Sequence, residues 1–313
     1  MAILKTISIV APCFNEVCNI HEFYSRVVGA ISGLPYNFEI IIIDNSSTDG
    51  TVECLRDISS KDPRVKVILN AANYGQVRSP FYGILQSSGD ACIQITSDLQ
   101  DPPELIPALI REWELGFRSV LLVYSRKESM GLLGIFRNIY YKILTSISEA
   151  PVIPNATGVG LYDGTVVSLF RKLRDPIPYQ RGLLTEFGHP LQTIEFDRPN
   201  RSGGLSKNNI IKLYDLAMLG LVSHAKAPLR ALTFIGLVIG ILSIFVALGF
   251  FIAKLLFWGS FQVGIAPILI GMFFLSGLQF FFFGIMGEYI LAIHLRLQRK
   301  NYPLVIERER INF

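Results

Sequence analysis

Apolar residues fall along this chain in two rhythms. Residues 7–12 (Ile-Ser-Ile-Val-Ala-Pro) and 38–44 (Phe-Glu-Ile-Ile-Ile-Ile-Asp) are short, nearly continuous apolar runs, the pattern of strands buried on both faces of a parallel sheet. Residues 15–32 between them carry helical spacing. The alternation continues with a turn at 45–50, a helix at 51–60, a strand at 65–69, a helix at 77–87, a strand at 91–96, a helix at 103–116 and a strand at 119–124. Residues 135–148 and 164–173 predict further helices. Strands alternating with helices predict an α/β fold with a doubly wound, mostly parallel sheet, whose ligands sit beyond the carboxyl ends of the strands.

The pattern changes after residue 207. Residues 208–225 place Ile210, Ile211, Leu213, Leu216, Leu219 and Leu221 at helical spacing with Lys212 and Asp215 between them, which fits an interfacial amphipathic helix or a core-facing one. Residues 231–253 and 265–286 then carry no charged side chain, and each run is long enough to span a bilayer as a helix. Lys226 and Arg230 flank this pair on one side, and Arg296, Arg299, Lys300, Arg308 and Arg310 on the other. The positive-inside rule therefore predicts cytosolic termini and a small external hairpin. The expected organisation is a cytosolic catalytic domain (1–207), an interfacial region (208–228), a two-helix transmembrane hairpin (229–294) and a basic cytosolic tail (295–313). No signal peptide is read at the start.

Composition agrees with a membrane protein. Half of the 313 residues are hydrophobic and only 17% are charged, below the roughly 25% of soluble domains. Disorder is excluded by the same balance. Charge is segregated: residues 1–117 hold 8 Lys and Arg against 14 Asp and Glu, whereas residues 118–226 hold 14 against 8. That asymmetry suggests a cation sub-site and an anion sub-site. Cys13, Cys18, Cys54 and Cys92 lack paired metal spacing and read as reduced thiols.

The polar residues that follow the strands carry the candidate chemistry. They form three clusters: Pro12-Cys-Phe-Asn-Glu16, Asp44-Asn-Ser-Ser-Thr-Asp-Gly-Thr51 and Ser97-Asp-Leu-Gln-Asp-Pro-Pro-Glu104. Asp44 at a strand end can accept from a ribose hydroxyl or a base nitrogen. Asp98 and Gln100 offer hard oxygen ligands suited to Mg²⁺ or Mn²⁺ shared with substrate phosphates. Asp49 and Asp101 read as turn formers. No Gly-x-Gly-x-x-Gly follows the first strand, which excludes a dinucleotide-dependent oxidoreductase.

Together with Asn73-Tyr-Gly75, Arg126, Glu128-Ser129 and Arg198-Pro-Asn-Arg-Ser-Gly-Gly-Leu-Ser-Lys207, these clusters resemble the inverting glycosyltransferases of family two with the GT-A fold. The resemblance is to the branch that loads sugars onto polyprenyl phosphates, the dolichyl-phosphate mannose synthases and bacterial undecaprenyl-phosphate glucosyltransferases, and it covers nearly the whole chain. It implies that Pro12, Phe14, Glu16 and Asp44 hold the nucleoside of a nucleotide-sugar donor, and that Asp98 and Gln100 ligate Mg²⁺ or Mn²⁺. It also implies that Arg126, Arg137, Arg201, Ser206 and Lys207 meet the acceptor or donor phosphates, with Asp98, Arg126 and Arg201 at the reacting centre. Arg201 and Lys207 equally fit a basic loop drawn to anionic headgroups. The expected partners are a nucleotide sugar, with uridine favoured, a polyprenyl phosphate, membrane lipid and, by resemblance, further copies of the chain in a tetramer. No nucleic acid is expected, and the expected location is the bacterial inner membrane.

Three positions depart from the family pattern. Asn45 stands where a second Asp is frequent, Thr96 replaces the first acid of Asp-Ala-Asp, and Gly158 fills the place of an Asp proposed as catalytic base. A phosphate acceptor tolerates the last change, because with a second pKa of about 6 it is already ionised at neutral pH. Two alternatives stand beside it: a processive polysaccharide synthase, whose Gln-x-x-Arg-Trp signature finds no Trp at Tyr179-Gln-Arg-Gly-Leu183 in this chain, and a catalytically impaired nucleotide-sugar scaffold. Retention of Asp98 and Gln100 counts against the scaffold.

Overall fold

The computed structural model describes residues 4–125, 153, 156–173, 180–197, scattered positions between 234 and 256, 265–299 and 304–313. Its centre is an eight-stranded sheet in the order β7-β5-β6-β4-β1-β2-β3-β8. The strands are β1 (Thr6–Cys13), β2 (Asn37–Asp44), β3 (Val65–Asn70), β4 (Ala91–Gln94), β5 (Ser119–Tyr124), β6 (Ala156–Asp163), β7 (Leu191–Phe196) and β8 (Glu307–Ile311). Strands β4, β1, β2 and β3 are mutually parallel, as are β5 and β7. β6 runs antiparallel between β4 and β5, and β8 runs antiparallel along β3. Parallel pairing thus dominates the part of the sheet that the sequence resolves into strands.

The central strands are apolar on both faces because helices cover both. On one side Ile7, Ile9, Ile40 and Ile42 meet Phe23 and Val27 of α1 (Ile20–Ile31), Leu55 of α2 (Thr51–Lys61) and Leu109 of α4 (Ile106–Glu114). On the other, Val10, Ile41 and Ile43 meet Phe81 and Ile84 of α3 (Gly75–Gln86) and Phe170 of α5 (Gly164–Lys172). A fully buried side chain of this size contributes on the order of 1.5–3 kcal/mol. At Gly83 the approach of α3 leaves no room for a side chain: a Cβ would lie 2.1 Å from Ile43 Cδ1.

Chain order and sheet order diverge at β1, which has β2 on one side and β4 on the other. A crevice opens at such a switch point beyond the carboxyl ends of the strands. α1 begins at Ile20 instead of residue 15, because Asn15 takes a left-handed conformation (φ 54°) and residues 14–19 form a loop over that crevice.

Helices α6 (Gln180–Glu186) and α7 (Ile265–Arg299) complete the described elements. The expected helix at 135–148 and the amphipathic segment at 208–225 lie outside the described residues, as does most of the first apolar run, 231–253. Phe234, Ile235, Val238, Leu242 and Phe245 within that run are exposed. The second run, 265–286, falls inside α7, a continuous helix of 35 residues that exposes Ile268, Met272, Phe281, Phe283 and Met286. Among the described residues no helix is long and apolar enough to cross a membrane, so the two expected spans are without support from the described fold.

Candidate active site

Two loops close over the ends of β1 and β2 and fasten each other. The Asn15 amide donates to Ser47 Oγ at 2.8 Å, and Asn15 Oδ1 accepts from the Thr48 amide at 2.8 Å. The Glu16 amide donates to Thr51 Oγ1 at 3.0 Å and the Val17 amide to Asp49 Oδ2 at 3.3 Å. Asp49 is therefore a turn residue, as read from the sequence. Burial alone would raise its carboxyl, but the Thr51 hydroxyl and the Val17 and Thr51 amides bring it below the usual carboxylate range.

Asp44 lies at the bottom of this enclosure, fully buried at the last position of β2. Its Oδ2 accepts from the Ser47 amide at 2.9 Å, and the Cys13 thiol faces Oδ1 at 3.8 Å. Burial, then the neighbouring Asp44 charge, pushes the Cys13 thiol up, so it stays protonated and serves as a weak donor. Glu16 is buried beside Asp44's loop and accepts from Asn19 Nδ2 at 2.6 Å, while Pro12 is half-buried at the end of β1. The structure thus gathers Pro12, Phe14, Glu16 and Asp44 on adjoining strand-end loops.

The third cluster adjoins the first. Ser97 Oγ donates to the Pro12 carbonyl at 3.0 Å, and the Ile95 amide to that of Val10 at 3.0 Å, which pins the segment after β4 to the end of β1. Leu99 is driven into a left-handed conformation (φ 58°) while its side chain stays in the core. Holding a branched side chain there costs about 1–2 kcal/mol, and such strain concentrates at functional sites. Its effect is a tight turn that groups Asp98, Gln100 and Asp101.

Thr96, the departure from Asp-Ala-Asp, has a structural role in this group. Its hydroxyl lies 2.8 Å from Asp98 Oδ1 and 2.7 Å from Asp101 Oδ2, and the Gln100 amide adds a 3.2 Å bond to Asp98 Oδ1. Among the described residues both bonds to Asp98 fall on one oxygen. Asp101, expected to be a plain turn former, is 2% exposed and belongs to this acid pair. Glu104, at the end of the motif, instead takes a two-pronged bond from Arg26 of α1 (2.8 Å to each oxygen) that fixes the loop from outside.

Asn45 is explained in the same way. Its Nδ2 donates to Asn73 Oδ1 at 2.9 Å, and its Oδ1 accepts from the Tyr74 amide at 2.8 Å and from Asn70 Nδ2 at 3.1 Å. Asn73 Oδ1 also takes the Gly75 amide at 2.9 Å. A carboxylate could accept two of these bonds but could not donate the third.

Gly158 sits where β6 departs from regular pairing, its register against β5 shifting between Leu121 and Val123. It has φ 83°, which disfavours a side chain, and its carbonyl accepts from Tyr162 Oη at 2.9 Å. Asp163 lies at the opposite end of the sheet, paired with Ala91 at the start of β4. There it caps α5 through Thr165 and binds Trp113 Nε1 at 2.7 Å and Arg118 at 3.0 Å, a structural assignment.

Strand and helix patterning carries no signal for the Gln94–Gln180 contact, in which Gln180 Nε2 donates to Gln94 Oε1 at 3.2 Å and brings α6 to the end of β4. Arg126, Arg137, Arg201, Ser206 and Lys207 lie outside the described residues, so the expected phosphate-binding set has no described geometry. No cluster of three or more His, Cys, Asp or Glu that could cage a metal occurs among the described residues. Oxygen donors from Asp98, Gln100 and Asp101 nevertheless suit a hard divalent cation that completes its shell with phosphate and water.

The mostly parallel α/β sheet carries acidic strand-end loops at its switch point, the place where such sheets bind ligands. The chain belongs to glycosyl transferase family 2, whose description matches residues 8–160. It is 34% identical over 301 residues to the SfII prophage-derived bactoprenol glucosyl transferase of Shigella flexneri, covering 96% of each chain. The bactoprenol glucosyl transferase of Shigella phage SfV is 33% identical over 306 residues, covering 97% of this chain and 99% of that one. An uncharacterised glycosyltransferase of Synechocystis is 30% identical over 300 residues, covering 96% of this chain and 94% of that one.

Proposed function

We propose that this chain transfers glucose, with inversion, from a uridine-diphosphate donor to the phosphate of a membrane polyprenyl phosphate of the undecaprenyl type. Full-length similarity to bactoprenol glucosyl transferases carries this reading, since it extends over the strand-end loops and the apolar C-terminal third alike. Asp44, enclosed by the interlocked loops, takes the nucleoside with Pro12, Phe14 and Glu16. Asp98 and Gln100 would hold Mg²⁺ or Mn²⁺, which would supply charge neutralisation for the leaving diphosphate. Arg126, Arg137, Arg201, Ser206 and Lys207 receive the lipid phosphate and share in stabilising the departing diphosphate, and Arg126 and Arg201 are assigned catalytic roles.

In this reaction a lipid phosphate oxygen attacks the anomeric carbon. The bond from that carbon to the donor's diphosphate oxygen breaks, and its electron pair leaves with the nucleoside diphosphate. The attacking oxygen is already ionised at neutral pH, so no side chain need remove a proton. That accounts for a glycine at 158 and for Asp163 at the far end of the sheet.

The lipid acceptor requires a chain held at the bilayer, and we assign that role to spans at 231–253 and 265–286. Two uncharged runs of bilayer length and the apolar side chains exposed along them support this assignment. The catalytic domain (1–207) and both termini then lie on the cytosolic face of a bacterial inner membrane, with 208–228 at the interface and copies of the chain free to associate through the spans. The test uses purified protein in detergent with undecaprenyl phosphate and radiolabelled UDP-glucose, UDP-N-acetylglucosamine and GDP-mannose, with and without EDTA. EDTA-sensitive passage of label into the organic phase from UDP-glucose alone is the expected result. Nucleotide-sugar binding without transfer from any donor would overturn the reading in favour of a scaffold.

A further inference from the structure

The final residues of the chain return to the catalytic sheet. β8 pairs antiparallel with β3, matching Val67 with Ile311, Ile68 with Arg310, Leu69 with Glu309 and Asn70 with Glu307. One residue further on, the Ala71 amide donates to the Ile306 carbonyl at 2.9 Å, and Val305 is buried. Side chains fasten the strand on both faces of the sheet. Glu309 takes two bonds from Arg56 of α2, and Asn312 Nδ2 donates to the Ser59 and Val65 carbonyls at 2.7 and 3.0 Å. On the α3 side Tyr82 Oη donates to Glu307 Oε1 at 2.5 Å, and Arg310 reaches Gln86 Oε1 at 2.9 Å. The register shift at Leu69/Asn70 is what turns Glu307 to the face opposite Glu309.

These contacts bracket one short segment. Residues 71–74 join the end of β3 to the start of α3, and the tail grips Asn70 and Ala71 at the start of this segment and Tyr82 and Gln86 beyond its end. From within, Asn45 holds the same segment through Asn70, Asn73 and Tyr74, and Asn45 directly follows Asp44. A continuous path of hydrogen bonds therefore runs from the C-terminal strand to the residue beside the buried carboxylate. Only residues 300–306 separate this strand from α7.

We propose that residues 304–313 are a positioning element for the nucleotide donor: by completing the sheet edge at Asn70–Ala71 and clamping α3, they hold the Asn73-Tyr74-Gly75 turn in the form that closes the Asp44 pocket. The inference rests on the donor-site reading above and extends it, since no residue of this segment belongs to the three strand-end clusters at 12–16, 44–51 and 97–104. It makes donor affinity depend on a segment more than 230 residues away in sequence and attached to the helix that the functional reading places in the membrane.

The test compares the full chain in detergent with a chain ending at Pro303 and with the full-length double variant Tyr82→Phe, Gln86→Ala. Uridine diphosphate binding by calorimetry and amide exchange at residues 71–76 are measured on all three. Truncation is expected to weaken nucleotide binding about tenfold and speed exchange at 71–76, with KM for the donor rising and KM for the lipid acceptor unmoved. A synthetic peptide of residues 304–313 added to the truncated chain restores binding and protection, and the double variant shows a smaller shift in the same direction. Undiminished binding and protection after truncation would overturn the inference. So would equal losses in both KM values with no rescue by peptide and no shift in the double variant, which is the signature of general destabilisation. Failure of the full chain to bind uridine diphosphate would instead remove the functional reading and the inference with it.

Discussion

Replacing Asn45 by aspartate changes one NH₂ group into an oxygen and leaves shape and volume nearly untouched. The change removes the 2.9 Å bond to Asn73 Oδ1 and sets a carboxylate oxygen against it, at a position only 7% exposed. The bonds from Tyr74 and Asn70 survive and gain charge assistance, which recovers part of the loss. An unmade buried bond together with a desolvated charge costs about 1–3 kcal/mol at neutral pH. The sign of the pH dependence follows from burial. The new carboxyl has a folded pKa above its unfolded value of about 3.9, so the penalty is complete above the folded pKa and is gone below the unfolded one, where the protonated oxygen donates to Asn73. Thermal unfolding followed by circular dichroism, for variant and parent side by side, should give a melting temperature lowered by roughly 2–4 °C per kcal/mol at pH 7.5. The gap should narrow as the pH is taken toward 4. A variant that melts with its parent at pH 7.5, or a gap that widens on acidification, would refute the assignment of Nδ2 as donor to Asn73.

Three further outcomes follow from the same contacts. Thr96→Val removes the hydroxyl shared by Asp98 and Asp101 and should cost about 1.5–3 kcal/mol in melting experiments, with Thr96→Ser recovering most of it. Asp163→Ala should lower the melting temperature yet leave kcat within about twofold, and loss of turnover with donor binding intact would contradict the base-free mechanism. Burial alone would raise the Glu39 carboxyl, but the Lys66 ammonium and the Ser8 and Ser88 donors bring it below its ordinary value. Its contribution is therefore complete above its unfolded pKa of about 4.3 and is lost as the pH falls through the lower folded value, so Glu39→Gln should flatten the acid side of the stability profile.

The parallel strands were legible because burial on both faces leaves runs such as Ile40–Ile43, which few other structures produce. β6 was not, because Ala-Thr-Gly-Val-Gly carries two glycines whose use, a bulge at Gly158 and close approach at Gly160, depends on its neighbours. β8 was hidden by its charges. Glu307, Arg308, Glu309 and Arg310 read as a solvated tail, although alternating polar residues with Ile311 also fit an edge strand whose charges find partners on α2 and α3. At the site, strand-end position pointed to Asp44 and Asp98. The partnership of Thr96 with Asp101, and of Asn45 with Asn70 and Asn73, required knowing which loops the sheet brings together.

The claim that the acceptor phosphate is its own nucleophile separates this account most sharply from its alternatives. The measurement is transfer of labelled glucose from UDP-glucose to undecaprenyl phosphate and, in parallel, to undecaprenol, at equal concentration in the same detergent with Mg²⁺. The account predicts organic-phase product from the phosphate alone, because the phosphate oxygen is already ionised at neutral pH whereas an alcohol must lose a proton, and a glycine stands at 158. Comparable transfer to the alcohol would contradict it.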